Sequence, residues 1–134
     1  MTRRDAGNRA NQITGKIGEK MAVKHLLSRG YRIIETNSRS PFGEIDIIAK
    51  MGDEWVFLEV KTRVSPALGS PLLSINRGKR DNIIKSSLYY MKRNGLEEAN
   101  CRIDVISVEL DDNMRLERLE HIRNAIDPET ELFY

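Results

Sequence analysis

Two strand-like segments, Gly43-Glu44-Ile45-Asp46-Ile47-Ile48-Ala49 and Phe57-Leu58-Glu59-Val60-Lys61-Thr62-Arg63, flank the turn sequence Met51-Gly52-Asp53-Glu54. A Gly-Asp pair between two apolar runs is hairpin chemistry, so the segments pair antiparallel. Side chains alternate between the faces of a strand. Ile45, Ile47, Leu58 and Val60 therefore share one face, while Ile48 and Phe57 flank the other. A hairpin that is apolar on both faces reads as a central strand pair of a sheet covered on both sides.

The second face also carries charge. A two-residue loop at Gly52-Asp53 puts Met51 opposite Glu54, and continuing that register sets Asp46 opposite Glu59 and Glu44 opposite Lys61. A four-residue loop keeps the register; a three-residue loop would set Asp46 opposite Val60. Opposed residues have Cβ atoms about 4.5–5.5 Å apart. Two carboxylates that close repel unless a cation lies between them. The patch thus suits a divalent metal with Lys61 beside it. A solvated hairpin face, with Glu44 and Lys61 as an ordinary cross-strand ion pair, fits the spacing equally well.

The 134 residues, 40% apolar and 31% charged, describe one globular domain. No apolar run approaches the roughly 18 residues of a membrane span, and no signal-peptide core is present, so a cytoplasmic location is expected. A single cysteine, Cys101, excludes an intrachain disulfide and a cysteine zinc cluster. Charge is unevenly spread. Residues 1–93 hold 18 Lys and Arg against 9 Asp and Glu, and residues 94–134 hold 4 against 11. The half with the hairpin is basic, which suits a polyanion such as nucleic acid. Alternatively, the two halves pack together and cancel.

The polar segment 1–12 is expected to be mobile, and residues 13–134 to form the domain. Residues 15–29 read as a helix ended by Gly30, 31–35 as a strand and 37–42 as a loop. The hairpin follows at 44–50 and 55–62, then a loop over 64–78. Residues 79–93 read as a helix with Ile84, Leu88 and Met91 at core spacing. Strands are expected at 102–110 and, more weakly, 115–122. The order is α-β-β-β-α-β-β. On the first helix Glu19 shares a stripe with Ala22, Val23 and Leu26. A carboxylate there is costly unless paired or bound to a cation; it could equally bend out to water. His25 and His121 lie in no metal-ligand pair and read as packing residues. For Asp104, beside Arg102, a structural ion pair is at least as good a reading as a site role. Trp55 and Cys101 read as packing residues. Of Tyr89 and Tyr90, one is expected in the core and one partly exposed, in preference to both stacking on bases.

Asp46 followed by Glu59-x-Lys61 resembles the D…ExK signature of the restriction-endonuclease-like nucleases. More narrowly, the two hairpin segments resemble the YraN family of small bacterial proteins, described as similar to archaeal Holliday-junction resolvases. The resemblance runs over roughly residues 15–126 and includes Gly18-Glu19, Gly30-Tyr31, Asn37 to Arg39, Gly69, Lys79, Arg102 to Asp104 and Asn124-Ala125. Leu68 and Ile103 stand where the family usually has Phe. The resemblance implies an α/β restriction-endonuclease-like core, a mixed central sheet flanked by helices. It implies hydrolysis of a DNA phosphodiester at Mg²⁺ or Mn²⁺ held by Asp46, Glu59 and the Val60 carbonyl, with Glu19 reaching the metal. Lys61 would orient water or stabilise the developing oxyanion. Arg39, Arg63, Arg77, Lys79 and Arg80 would grip the nucleic-acid backbone. Symmetric cutting of a junction would need a homodimer. A non-cutting nucleic-acid-binding module and a protein-interaction subunit are the competing readings.

Overall fold

The computed structural model describes residues 3–66 and 68–128. Helix α1 (Arg3–Ser28) leads into three antiparallel strands, β1 (Arg32–Ser40), β2 (Gly43–Met51) and β3 (Glu54–Val64). A 3₁₀ turn (Pro71–Ser74) and helix α2 (Arg77–Arg93) cross over to β4 (Cys101–Leu110), which pairs parallel to β3. Strand β5 (Leu116–Ile126) returns antiparallel to β4, giving the sheet order β1-β2-β3-β4-β5. The element order α-β-β-β-α-β-β and the mixed sheet agree with expectation. No helix is long and apolar enough to cross a membrane among the described residues.

The hairpin occupies the position its sequence requires, except that Ile45 packs in the α2-side cluster rather than on the face of Ile47. Ile47, Ala49, Val56 and Leu58 pack with Ala22 and Leu26 of α1, whereas Ile48 and Phe57 pack with Ile83, Ile84 and Met91 of α2. Each helix covers one face, so β2 and β3 are buried on both. The turn begins at Gly52 with φ 59°, a conformation glycine adopts without a Cβ clash.

Several boundaries differ from expectation. Helix α1 starts at Arg3, so the described part of segment 1–12 supplies its first turns. Alanine, arginine and glutamine there favour a helix, and Gly7 opposes it most. Strand β1 continues through the expected loop to Ser40, because Ser38, Arg39 and Ser40 pair with Ile45, Glu44 and Gly43. Pro41 and Phe42 alone make the turn, where Ser40 Oγ accepts from the Phe42 amide (3.1 Å) and donates to the Gly43 carbonyl (3.0 Å). Asn76 caps α2, accepting from the Lys79 amide at 2.9 Å. Ile84 and Met91 are buried as expected, but Leu88 is exposed. The buried stripe centres on Ile83, Ile84 and Ser87, and Leu88 falls at its edge.

Helix α1 lies unusually close to β3 at Gly18. A Cβ there would meet Thr62 Oγ1 at 1.8 Å. Gly18→Ala should therefore destabilise the protein by about 1–3 kcal/mol, the range for overpacking, although alanine normally favours a helix. Chemical denaturation would read it; an unchanged midpoint would show that α1 can lift away freely.

Candidate active site

The β2–β3 register runs as expected from Met51↔Glu54 to Ile47↔Leu58, and the paired segment ends there. Continuing it would give the Val60 amide to the Ile45 carbonyl, since alternate residues of an antiparallel pair exchange both backbone bonds. Instead the Val60 amide donates to Asp46 Oδ2 at 2.8 Å. The side chain replaces the ladder bond, and the strands part around it. The Val60 carbonyl faces the same gap, because both backbone groups of a residue point toward one neighbour.

Glu59 is buried beside this gap. Its Oε1 lies 2.7 Å from Lys79 Nζ, on the first turn of α2. Asp46, Glu59 and Lys79 line one pocket of about 310 Å³ with Phe42, Ile83 and Ser86. Burial pushes the Asp46 carboxyl up to about 8, and the Glu59 charge pushes in the same direction; the Val60 amide opposes both. The patch of two acids and an ammonium exists, but its ammonium belongs to Lys79. Lys61 is half-buried further along β3 and has no ion-pair partner among the described residues.

The expected Glu44–Lys61 pair does not form. The β2–β3 pairing stops at Ile47↔Leu58, and Glu44 instead pairs with Arg39 of β1, 3.9 Å from its Nε, and accepts from Asn37 Nδ2 at 2.9 Å. The same Asn37 nitrogen lies 3.3 Å from both carboxylate oxygens of Glu19. Asn37 holds φ 52°, a region that asparagine tolerates better than most residues. It ties the helix carboxylate to the strand carboxylate and is the site residue that sequence reasoning missed. Its signal was an asparagine among polar residues, which reads equally well as a turn. The glutamate on the apolar stripe is thus paired by a hydrogen bond, and its charge still reaches Asp46.

The basic residues separate by task. Arg39 is exposed. Arg63 donates to the Leu68 and Gly69 carbonyls (3.1 and 3.2 Å) and meets Glu109 at 3.4 Å, so it fastens the loop after β3. Arg80 donates to the Ile75 carbonyl at 3.2 Å and fastens the 3₁₀ turn. Arg77 opens α2 on the surface. Asp104 is wholly buried away from the pocket. Arg102 Nε (3.1 Å), His121 Nε2 (2.8 Å) and the Asn124 amide (2.8 Å) surround it. Arg102 also reaches Glu54 and the Tyr31 hydroxyl. The structural reading of Asp104 is the one the geometry supports. Tyr89 and Tyr90 are both half-buried.

No three His, Cys, Asp or Glu side chains are gathered closely enough to hold a metal ion among the described residues. The donor set is the Asp46–Glu59 pair plus the Val60 carbonyl. All are oxygens, which fits a hard divalent ion that keeps several waters. The raised Asp46 carboxyl has a stability consequence. Its folded pKa lies above the unfolded value, so its contribution is full below pH about 4 and is lost as pH rises through about 8. Metal-free protein should lose a few kcal/mol over that window, at most about 1.4 kcal/mol per pH unit. Asp46→Asn should flatten the profile in urea titrations. An unaltered profile would place the pH dependence elsewhere.

Fold and pocket together define a small mixed α/β protein with a paired-carboxylate pocket where two central strands part. Residues 18–108 match the uncharacterised protein family UPF0102, and the chain belongs to that family, the YraN family. The UPF0102 protein of Syntrophus aciditrophicus is 49% identical over 100 residues, covering 75% of this chain and 79% of that one. The UPF0102 protein of Moorella thermoacetica is 44% identical over 111 residues, covering 83% and 92%. Among solved structures, Pyrococcus furiosus SfsA in complex with Ca²⁺ matches with a TM-score of 0.40 and 17% identity. That match covers 80% of this chain and 62% of SfsA.

Proposed function

We propose that this protein is a metal-dependent nuclease that hydrolyses nucleic-acid phosphodiester bonds in the cytoplasm, with junction-like DNA as its substrate class. The observation that carries the reading is the Asp46–Glu59 pair. Two carboxyls are buried against each other at a strand divergence, beside a backbone carbonyl, within a basic half of the chain. Asp46 and Glu59 would hold Mg²⁺ or Mn²⁺, with the Val60 carbonyl as a third donor. The ion would lower the pKa of a bound water and neutralise charge on the phosphate. Lys61 shares its β3 face with Glu59 by alternation and would present a point charge to the reacting phosphate. Arg39 and Arg77 would position the backbone without reading sequence. A homodimer would let both strands of a junction be cut symmetrically.

One observation favours a second reading. Lys79 already supplies Glu59 with a cation, as in a nucleic-acid-binding module that no longer cuts. Labelled junction, flap, duplex and single-stranded DNA, incubated with Mg²⁺, Mn²⁺ or EDTA, separate the two. Metal-dependent cleavage supports the nuclease; binding with no cleavage under any metal supports the module.

The two lysines should behave oppositely. Lys79 competes for Glu59, so Lys79→Ala should tighten Mn²⁺ binding in calorimetry, by up to about fivefold for a pair with a half-exposed ammonium, worth about 1 kcal/mol or less. Lys61→Ala should leave that binding unchanged and slow cleavage by about 10²-fold, as losing one transition-state contact does. Weaker Mn²⁺ binding in Lys79→Ala would mean that Lys79 organises the pocket rather than closing it.

A further inference from the structure

A second cavity, of about 490 Å³, opens between the outer strand β1 and helix α2. It is lined by Ser38, Arg39, Ser40, Ser86, Tyr89 and Arg93, with Glu35 the acidic residue of the lining. Ser86 lines both this groove and the Asp46–Glu59 pocket, so the two adjoin at that residue. Ser86 is itself buried, and its Oγ lies 2.8 Å from Ser40 Oγ.

Three observations bear on what such a groove would take. It is bordered by cations, with Arg39 exposed on β1 and Arg93 exposed at the last turn of α2. It presents π surfaces. Tyr89 in the lining is half-buried, and Phe42, 42% exposed at the mouth of the adjoining pocket, meets it edge-on at a centroid distance of 6.3 Å. Finally, Arg93 Nη1 donates to the Tyr89 hydroxyl at 3.0 Å, which holds the ring upright beside a cation. Cations beside aromatic rings along a groove are the features that bind an unpaired nucleic-acid strand. In a duplex the base faces are stacked on each other and cannot reach Tyr89 or Phe42. An acidic peptide would satisfy the arginines but gives no reason for the groove to adjoin a pocket that holds a buried pair of carboxyls.

We propose that the groove between β1 and α2 is a subsite for a single-stranded nucleic-acid segment, in which Tyr89 and Phe42 take the bases and Arg39 and Arg93 take the phosphates of the strand leading into the Asp46–Glu59 pocket. The proposal rests on the nuclease reading for the direction of the strand. Its test is binding in EDTA, where no metal-dependent cleavage occurs, so the two can fail separately.

The experiment is fluorescence anisotropy at low salt with labelled (dT)12, (rU)12 and a 12-base-pair blunt duplex, each with excess EDTA. Native protein should bind the unpaired strands. Tyr89→Ala and Arg93→Ala should each weaken (dT)12 binding by about tenfold, the loss of one stacked base or a strong phosphate contact, and should change duplex binding less. Arg93 is at the surface, so that variant tests the groove even if Tyr89→Ala unfolds; melting curves report folding. Asp46→Asn with Glu59→Gln should bind (dT)12 at least as tightly as native, since carboxylate charge leaves the adjoining pocket. Preference between (dT)12 and (rU)12 identifies the sugar; binding of either upholds the proposal. Native-like (dT)12 affinity in Arg93→Ala, equal losses on duplex, or displacement of (dT)12 by a lower concentration of an octa-aspartate peptide would overturn it.

Discussion

Glu59→Gln and Asp46→Asn are each expected to reduce metal-dependent cleavage by about 10³-fold or more, with the fold intact. Both changes keep the shape of the pocket and remove the charge that would hold the ion in the proposed nuclease. Loss of a single transition-state donor already costs about 10²–10³-fold, and loss of the ion removes the activated water as well. The choice of replacement decides what is learned. Asp46→Ala would also orphan the Val60 amide, which donates to Asp46 Oδ2, and an unsatisfied buried donor costs about 1–3 kcal/mol. Asparagine retains an acceptor for that amide. Glu59→Gln removes the partner of Lys79, whose side chain is 44% exposed and can return to water at a cost of about 1 kcal/mol or less. Cleavage retained by both variants within tenfold would remove the carboxyl pair from the chemistry, whatever their effect on Mn²⁺ binding.

Asp104→Ala is expected to be the most destabilising single substitution named for this chain, at about 3–5 kcal/mol, the range for breaking a buried charge pair. For a domain of this size that is a fall in Tm of roughly 10–20 °C. Asp104 has no exposed surface and accepts from β4, β5 and the Asn124 backbone. Its removal leaves Arg102 and His121 facing a cavity, with the Asn124 amide unsatisfied. Cleavage per folded molecule should be unchanged, because the network lies away from the Asp46–Glu59 pocket. Thermal unfolding by circular dichroism with an activity titration separates the two effects. A variant that melts near native but has lost cleavage would make Asp104 a site residue after all.

The centre of the fold was legible in the sequence and its margins were not. The register from Met51↔Glu54 to Ile47↔Leu58 follows from one turn and an alternating pattern, both local. The end of that pairing is not local. It depends on Asp46 turning its carboxylate onto the Val60 amide, and nothing in the spacing distinguishes that from a continued ladder. Lys79 was visible as a cation opening α2, but its contact with Glu59 is made across the long crossover after β3. Glu44 was set opposite Lys61 by continuing the hairpin register, which the structure ends at Ile47↔Leu58. Polar edge-strand residues such as Ser38 and Ser40 carry the composition of a loop, and only their pairing with β2 identifies them as strand. Asn37 was hidden for the same reason.

The bond from the Val60 amide to Asp46 Oδ2 also makes a backbone proton a spectator of the pocket. Most amides in a central strand donate to carbonyls, whose charge does not change with pH. This one donates to a carboxyl that titrates near pH 8. Its nitrogen and proton resonances should therefore move with the protonation of Asp46, and move again when an ion takes the carboxylate. A single cross-peak in an ¹⁵N-labelled sample would follow proton and metal occupancy of the same oxygen, without a substrate and without altering any residue that touches it.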